Sequence, residues 1–421
     1  MVTAAGFAHF GHKVVCVETD SARLAELQSG RIPLFERGLE ELIRNNMQCG
    51  RLSFSMELEE AVDGHQAIFV TVGTPPLASG RADMGALYEV IETLSRSVTD
   101  GQVIVLKSTV PTGTARRVRE ILALNGNGDR SVEVINNPEF LREGAAVHDF
   151  FHPRRIVIGG ESPEAIELIK HIYEIGLPHP APIVVTNNAT AEMIKYASNA
   201  FLAAKIGFVN ELAALCSSVG VDVLEVARAM GLDPRIGPDF LNPGPGWGGS
   251  CLPKDLSEFI GLGEANGMPL LISKAVQESN QRQFEIVVGM VEKLVGDLKG
   301  KQIGALGLSF KAGTNDMRGS PAVPIIRKML AAGASVKAFD PAGPGDAALL
   351  LVGAEIVPRA FDVAVGSDCM VILTEWPEFQ LLDWHAMARQ MRHRNLVDSR
   401  NLLSSEIARR YGFNYLSMGQ V

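Results

Sequence analysis

Short apolar runs rich in β-branched residues alternate with amphipathic stretches through the first part of the chain. HKVVCVE, QAIFVTVGT, QVIVLKST, VEVINN, RIVIGG and PIVVTN read as strands, because brief continuous apolar runs bounded by turn residues fit strands buried on both faces. Helical stretches at residues 3–9, Ser21–Gln28, 39–45 and 84–98 separate them. Buried strands alternating with helices predict a parallel sheet covered on both faces.

From residue 189 to 218 the pattern changes to one long helix, ATAEMIKYASNAFLAAKIGFVNELAALCSS, and further helical segments run to about residue 298. Alternation then resumes with QIGALGLSF, a helix at 322–332, SVKAFDP, CMVILT and NLVDSR. The expected fold class is α/β. Two domains with parallel sheets, residues 1–187 and 299–421, flank a helical middle, 188–298, whose long helix serves as interdomain spine and dimer face.

Composition narrows the function classes. Lys and Arg number 39 against 48 Asp and Glu, a formal net charge of −9, and no basic run is present. That excludes nucleic acid as a main partner, because phosphate backbones are bound by clustered cations. The longest apolar runs are strand-sized, so no membrane span is expected, and residues 1–12 lack the basic start of a signal peptide. The five cysteines are scattered without metal-ligand spacing, which predicts a reducing, cytoplasmic setting with no disulfide framework and no metal.

The strongest chemical signal is NPGPGWGGSCLPKDL, residues 242–256. Ser250 reads as a helix cap, which places Cys251 at a helix N-terminus beside Lys254, where the dipole favours a thiolate nucleophile. Asp255 lies four residues on. In EMIKYASNAF, Lys195 and Asn199 share a helical face and offer a cation and an amide to a developing oxyanion. Glu139 and Glu143 in NNPEFLREG follow a strand end, where ligand sites of open parallel sheets lie. Ser108 and Thr109, and likewise Thr71, Gly73 and Thr74, end other strands with hydroxyls and flexible backbone suited to a cofactor. Lys311, Asp316 and Arg318 in LSFKAGTNDMRGSP, with Arg400 in VDSRN, suit phosphate oxygens.

GRIPLFERGLEEL, STVPTGT, NPEFLREGAAVHDFFHPRRIVIG, AEMIKYASNAFLAAKIGFVNE, DPRIGPDFLNPGPGWGGSCLPKD, FKAGTNDMRGSP and VDSRN together resemble the UDP-glucose/GDP-mannose dehydrogenase family nearly end to end, and YGFNYLSMGQV resembles its usual ending. The resemblance implies two Rossmann-like domains and a four-electron oxidation of a sugar C6 alcohol to a carboxylate, with two NAD+ consumed. It implies that Cys251 attacks the C6 aldehyde and carries a thiohemiacetal and then a thioester. Lys195 and Asn199 would hold the C6 oxygen. Asp255 would orient water with Thr109 near, and Glu139 would act as base in hydrolysis. Glu18, Arg23, Thr71, Gly73, Thr74, Ser108, Thr109, Glu143, Lys254 and Arg318 would face NAD. Phe140, Leu141, Lys195, Asn199, Phe240, Leu241, Gly248, Lys311 and Arg400 would serve the nucleotide sugar. Arg235 would reach a neighbouring subunit's site, implying at least a homodimer.

Departures from the family pattern are Glu18 where Asp is usual, and Gly313 and Gly319 in place of acidic or polar residues. The opening MVTAAGFAHFGHKVVCVE resembles the helix and second strand that come after the G-x-G turn of a dinucleotide-binding unit. The first domain is therefore expected to lack its first strand and phosphate loop, with an upstream segment belonging to the working protein. The DPRIG…GGSCLPKD combination favours UDP-glucose. GDP-mannose or an N-acetylated UDP-hexosamine, a two-electron hydroxyacid dehydrogenase, and a non-catalytic nucleotide-sugar-binding protein stand as alternatives.

Overall fold

The computed structural model describes residues 1–32, 35–127 and 131–420. Positions 33–34 of GRIPLFERGLEEL and the final Val421 lie outside the described residues. The chain divides into two compact units, Met1–Ser198 and Asn199–Val421, and among the described residues its strands form three sheets.

The first unit contains β1 (Val14–Val17), β2 (Leu52–Ser55), β3 (Ala67–Val70), β4 (Val103–Leu106), β5 (Glu133–Asn136), β6 (Ile156–Gly159) and β7 (Ile183–Thr186). All six expected apolar runs became strands. The extra one, β2, is LSFS, whose short alternation of buried and exposed residues is weak as a sequence signal. β1 and β2 pair parallel in a sheet of their own, and the other five follow the order β3-β4-β5-β6-β7. That order departs from a wholly parallel sheet, since β5 meets β6 antiparallel through Asn136 and Gly159.

The first helix, Val2–His9, is held by an aromatic cluster. The Phe7 ring lies 5.1 Å from Phe69, 5.4 Å from Phe150 and 5.1 Å from Tyr173, centroid to centroid. Tilted and edge-on contacts of this kind add to simple area burial. Gly6 is required on the same face, because a Cβ there would fall 2.0 Å from the Phe150 ring.

The second unit contains β8 (Gln302–Leu306), β9 (Ser335–Phe339), β10 (Glu355–Ile356), β11 (Cys369–Ile372), β12 (Asn395–Asp398) and β13 (Asn414–Ser417). Their order, β10-β9-β8-β11-β12-β13, is wholly parallel. It is the doubly wound arrangement, with the strand order reversing between β8 and β11, and ligands of such sheets sit outside the carboxyl ends at that reversal. Leu306 and Ile372, at the ends of β8 and β11, are fully buried within the core below.

The long helix, Asn188–Val219, spans the boundary between the units. By length and composition it is apolar enough to cross a membrane, which corrects the expectation of strand-sized runs only. Two of its buried polar side chains are nevertheless met by surrounding protein. Glu192 accepts from the Gly113 and Ala115 N–H groups, and Asn210 accepts from Gly244 N–H. Polar groups satisfied by surrounding protein are what a core helix needs.

Candidate active site

In the second unit, Cys251 is itself the N-cap of the helix Leu252–Ala265 and makes no side-chain cap hydrogen bond. Ser250, expected as the cap, instead places its Oγ 3.7 Å from Cys251 Sγ. The reason is local: Pro253 occupies the first turn and fixes where helical geometry begins. The thiol is exposed, as a nucleophile must be to meet a substrate.

Asp255 follows one turn later and is fully buried. Asn199 Nδ2 donates to its Oδ2 at 2.6 Å, and Lys254 Nζ lies 2.6 Å from its Oδ1. A buried carboxylate is tolerated only when paired and hydrogen-bonded, and both conditions hold here. Lys254, read from sequence as facing cofactor, is thus tied to the neighbouring carboxylate.

The loop before Cys251 is clamped by helix side chains. Asn280 accepts from Trp247 N–H at 2.8 Å and donates to Trp247 O at 3.0 Å, while Gln283 donates to Gly244 O at 2.8 Å. These bonds satisfy backbone groups that irregular structure leaves unpaired. A Cβ on Gly248 would lie 2.0 Å from Gly319 O, so the glycine crowding reflects two backbones in contact.

At the carboxyl ends of β8, β11 and β12, Arg400 donates to Leu373 O at 2.9 Å and to Phe310 O at 3.2 Å, and pairs with Glu375 at 3.1 Å. Lys311 Nζ sits 5.4 Å from the Phe310 ring centroid. The two predicted sugar-nucleotide cations therefore converge around Phe310. Arg318 and Arg235 do not join such a cluster: each forks onto a nearby carboxylate, Asp316 and Asp233, with its own side chain 70% and 87% exposed. Leu241 is buried, and Phe240 adopts φ 64°, a turn conformation uncommon for a bulky residue.

In the first unit, Glu139 lies just past β5 with every oxygen engaged. Oε1 accepts from Phe140 N–H at 2.7 Å and Leu141 N–H at 3.0 Å. Oε2 accepts from Thr3 Oγ at 3.3 Å and meets Lys107 Nζ at 3.1 Å. Burial pushes this carboxyl upward, but the Lys107 charge and hydrogen bond, the Leu141 N–H and the Lys195 charge together hold it below its ordinary value. Lys195 Nζ lies 5.2 Å from the Phe140 ring centroid, and the Arg155 guanidinium stands 4.1 Å from the same ring.

The strand-end loops expected to face a cofactor are stitched together. Ser108 Oγ donates to Val72 O at 2.6 Å, and Thr74 Oγ donates to Thr109 O at 3.0 Å. At Gly73 a Cβ would enter open space, leaving bare backbone for a ligand to approach. Glu18, past the end of β1, accepts from Asp20 N–H at 3.1 Å and meets Arg23 at only 3.8 Å. That loose, half-exposed pair leaves the carboxylate able to take ribose hydroxyls, so these residues fit a dinucleotide. Glu143, near the end of the loop between β5 and the helix Ala146–Phe151, is partly exposed.

Sequence reasoning missed Lys107, Arg155 and Glu192. Lys107 carried a readable signal, a cation closing an otherwise apolar strand run in VIVLKST. The burial that couples Arg155 to Phe140 had none.

Comparison with known proteins covers nearly the whole chain. Residues 1–176, 189–282 and 304–405 match the NAD binding, central and UDP binding domains of the UDP-glucose/GDP-mannose dehydrogenase family. UDP-glucose 6-dehydrogenase of Rhizobium meliloti is 40% identical over 100% of this chain and 97% of its own length. UDP-glucose 6-dehydrogenase TuaD of Bacillus subtilis is 39% identical over 100% and 91%. A UDP-glucose dehydrogenase structure from Pyrobaculum islandicum superposes with TM-score 0.92 at 37% identity, covering 100% of this chain and 95% of that one.

Proposed function

The chain belongs to the UDP-glucose/GDP-mannose dehydrogenase family, and on that premise we propose that it oxidises UDP-glucose at C6 to UDP-glucuronate through a thioester on Cys251. The observation that carries the reading is an exposed thiol at a helix start, with a buried Asp255–Asn199–Lys254 set one turn along. The relatives that match over the full chain support it.

When bound, NAD+ accepts hydride in both two-electron stages. Glu18, Arg23, Thr71, Gly73, Thr74, Ser108, Thr109, Glu143, Lys254 and Arg318 are the residues we assign to holding it. Cys251 Sγ adds to the C6 aldehyde carbon, and the alkoxide that develops is held by Lys195 and Asn199, one turn apart on the long helix. In hydrolysis a water oxygen bonds to C6 and the C–S bond breaks toward Sγ. The water's proton passes to Glu139, with Asp255 and Thr109 orienting the water. Lys311 and Arg400 take the nucleotide phosphates, while Phe140, Leu141, Phe240, Leu241 and Gly248 line the sugar's side.

We further assign the working protein a homodimer or higher homo-oligomer in the cytoplasm, made of three domains, 1–187, 188–298 and 299–421. Arg235, exposed and paired with nearby Asp233, completes a neighbouring subunit's site. The decisive measurement is NADH formed per UDP-glucose consumed, with GDP-mannose and a UDP-N-acetylhexosamine as comparison substrates. Two NADH with UDP-glucose is the expected result, and one would overturn the thioester route.

A further inference from the structure

We propose that Lys107 is a positioning residue that holds Glu139 as an oriented carboxylate for hydrolysis of the Cys251 thioester. The inference rests on the reading of Glu139 as the hydrolytic base.

Lys107 directly follows β4 and is only 5% exposed. Its ammonium has three N–H groups, and three oxygens meet them: Glu139 Oε2 at 3.1 Å, Tyr173 OH at 3.1 Å and Asn137 Oδ1 at 3.3 Å. The partners are themselves fixed. Tyr173, on the helix Pro163–Glu174, donates to Asn137 Oδ1 at 2.7 Å, and Asn137 Nδ2 donates to Val157 O in β6 at 2.8 Å. The ammonium therefore ties together the ends of β4 and β5, a β6 carbonyl and a helix, with the Glu139 carboxylate as its one charged partner among the described residues.

A lysine is an expensive way to fill such a position, since an aliphatic side chain would pack there without losing hydration. What only a cation supplies is charge on Glu139. The groups facing that carboxylate are Lys107 from the end of β4, Tyr173 from the helix beside it, Lys195 from the long helix and the neutral hydroxyl of Thr3 from the first helix. Of these, Lys107 makes the direct ion pair. Without it, burial acts on Glu139 with only the more distant Lys195 charge and the backbone N–H groups in opposition, and the carboxyl keeps its proton to higher pH. A protonated Glu139 cannot accept the proton of the attacking water.

The test compares Lys107→Met, Lys107→Arg and the unsubstituted full chain by rapid mixing with UDP-glucose and NAD+ across pH. In Lys107→Met, two NADH per active site form in a burst, the steady state slows about tenfold or more, and intact mass shows a UDP-glucuronyl adduct on Cys251. The acidic limb of kcat moves upward by about one pH unit or more, whereas Lys107→Arg keeps the limb in place. Equal loss in burst and steady state at every pH, with an unmoved limb, would show a purely structural lysine and overturn the proposal, as would unchanged kinetics. Where Lys107→Met does not fold, Lys107→Arg decides. Its rigid guanidinium cannot meet all three oxygens, so a slowed steady state behind a preserved burst supports the proposal, and equal slowing of both overturns it. Failure of the parent reading is separable, because Glu139→Gln would then leave the steady state no slower than the burst in a chain that keeps Lys107.

Discussion

Asn199 donates its amide to the carboxylate of Asp255 at 2.6 Å, and both side chains are buried. The bond joins the long helix to the helix that Cys251 begins. It uses one of the two amide hydrogens of Asn199.

Replacing Asn199 by Ala leaves Asp255 with Lys254 as its remaining side-chain partner. An unmet buried acceptor costs about 1–3 kcal/mol, so the urea midpoint should fall. Loss of an oxyanion donor lowers kcat by about 10²–10³-fold. Asn199→Asp sets two carboxylates together and should destabilise more than Asn199→Ala in the same titration.

Cys251→Ser removes the thiolate at an exposed position. NADH formation in steady state should fall by about 10³-fold or more, as expected for loss of a covalent nucleophile. The melting temperature should stay within about 1 °C, because exposed substitutions rarely alter stability. Thermal melts and NADH absorbance check both halves.

Stability against pH should report the Lys107–Glu139 pair. Glu139 is held below its ordinary value, so its contribution is full above the unfolded carboxylate range of about 4.3 and fades as pH falls through the folded value. For Lys107, burial pulls the pKa down, but the Glu139 charge and the hydrogen bonds of Tyr173 and Glu139 outweigh it and raise it. That contribution is full below about 10.4 and fades as pH rises through the folded value. The expected urea midpoint is level near neutrality and declines in acid. In Lys107→Met the charge that lowers the Glu139 carboxyl is gone, and the decline in acid should flatten. An unchanged slope in the variant would contradict the pairing.

Gly248→Ala should be among the most damaging small substitutions in the second unit. Its Cβ meets the Gly319 carbonyl oxygen at 2.0 Å, with backbone on both sides and nothing flexible to yield. Overpacking of this kind costs about 1–3 kcal/mol, and the loop holding Cys251 should shift. A fall in melting temperature together with slower alkylation of Cys251 is the expected pair of results.

Arg235→Ala should leave melting unchanged in a dilute, dissociated sample, because the side chain is exposed and, among the described residues, bonded only to Asp233. In the assembled protein the KM for UDP-glucose should rise. Light scattering beside kinetics separates the two, and an unaltered KM would remove Arg235 from the neighbouring site.

Much of this architecture was legible along the chain. The six apolar runs of the first part became β1 and β3 to β7, and the helix Ser21–Gln28 formed over the residues expected. The long helix extended one residue beyond each predicted end, to Asn188–Val219. Periodicity and turn residues are local signals, so a short window carries them. The strands LSFS, Glu355–Ile356 and Asn414–Ser417 escaped because runs so short or so polar have no period of their own.

The residue types of the chemistry were also written in order: a thiol before a helix, a cation and an amide one turn apart, carboxylates after a strand. Folding alone decided what each would touch. Cys251 rather than Ser250 caps its helix, Asp255 is sealed from water while its neighbour in the motif stays exposed, and Lys107 closes on Glu139 across two strand ends. Such pairings depend on how strands are ordered and how closely backbones approach, as Gly248 does with Gly319. Contacts between residues far apart in sequence leave no mark on the local pattern, because they arise only once packing brings the elements together.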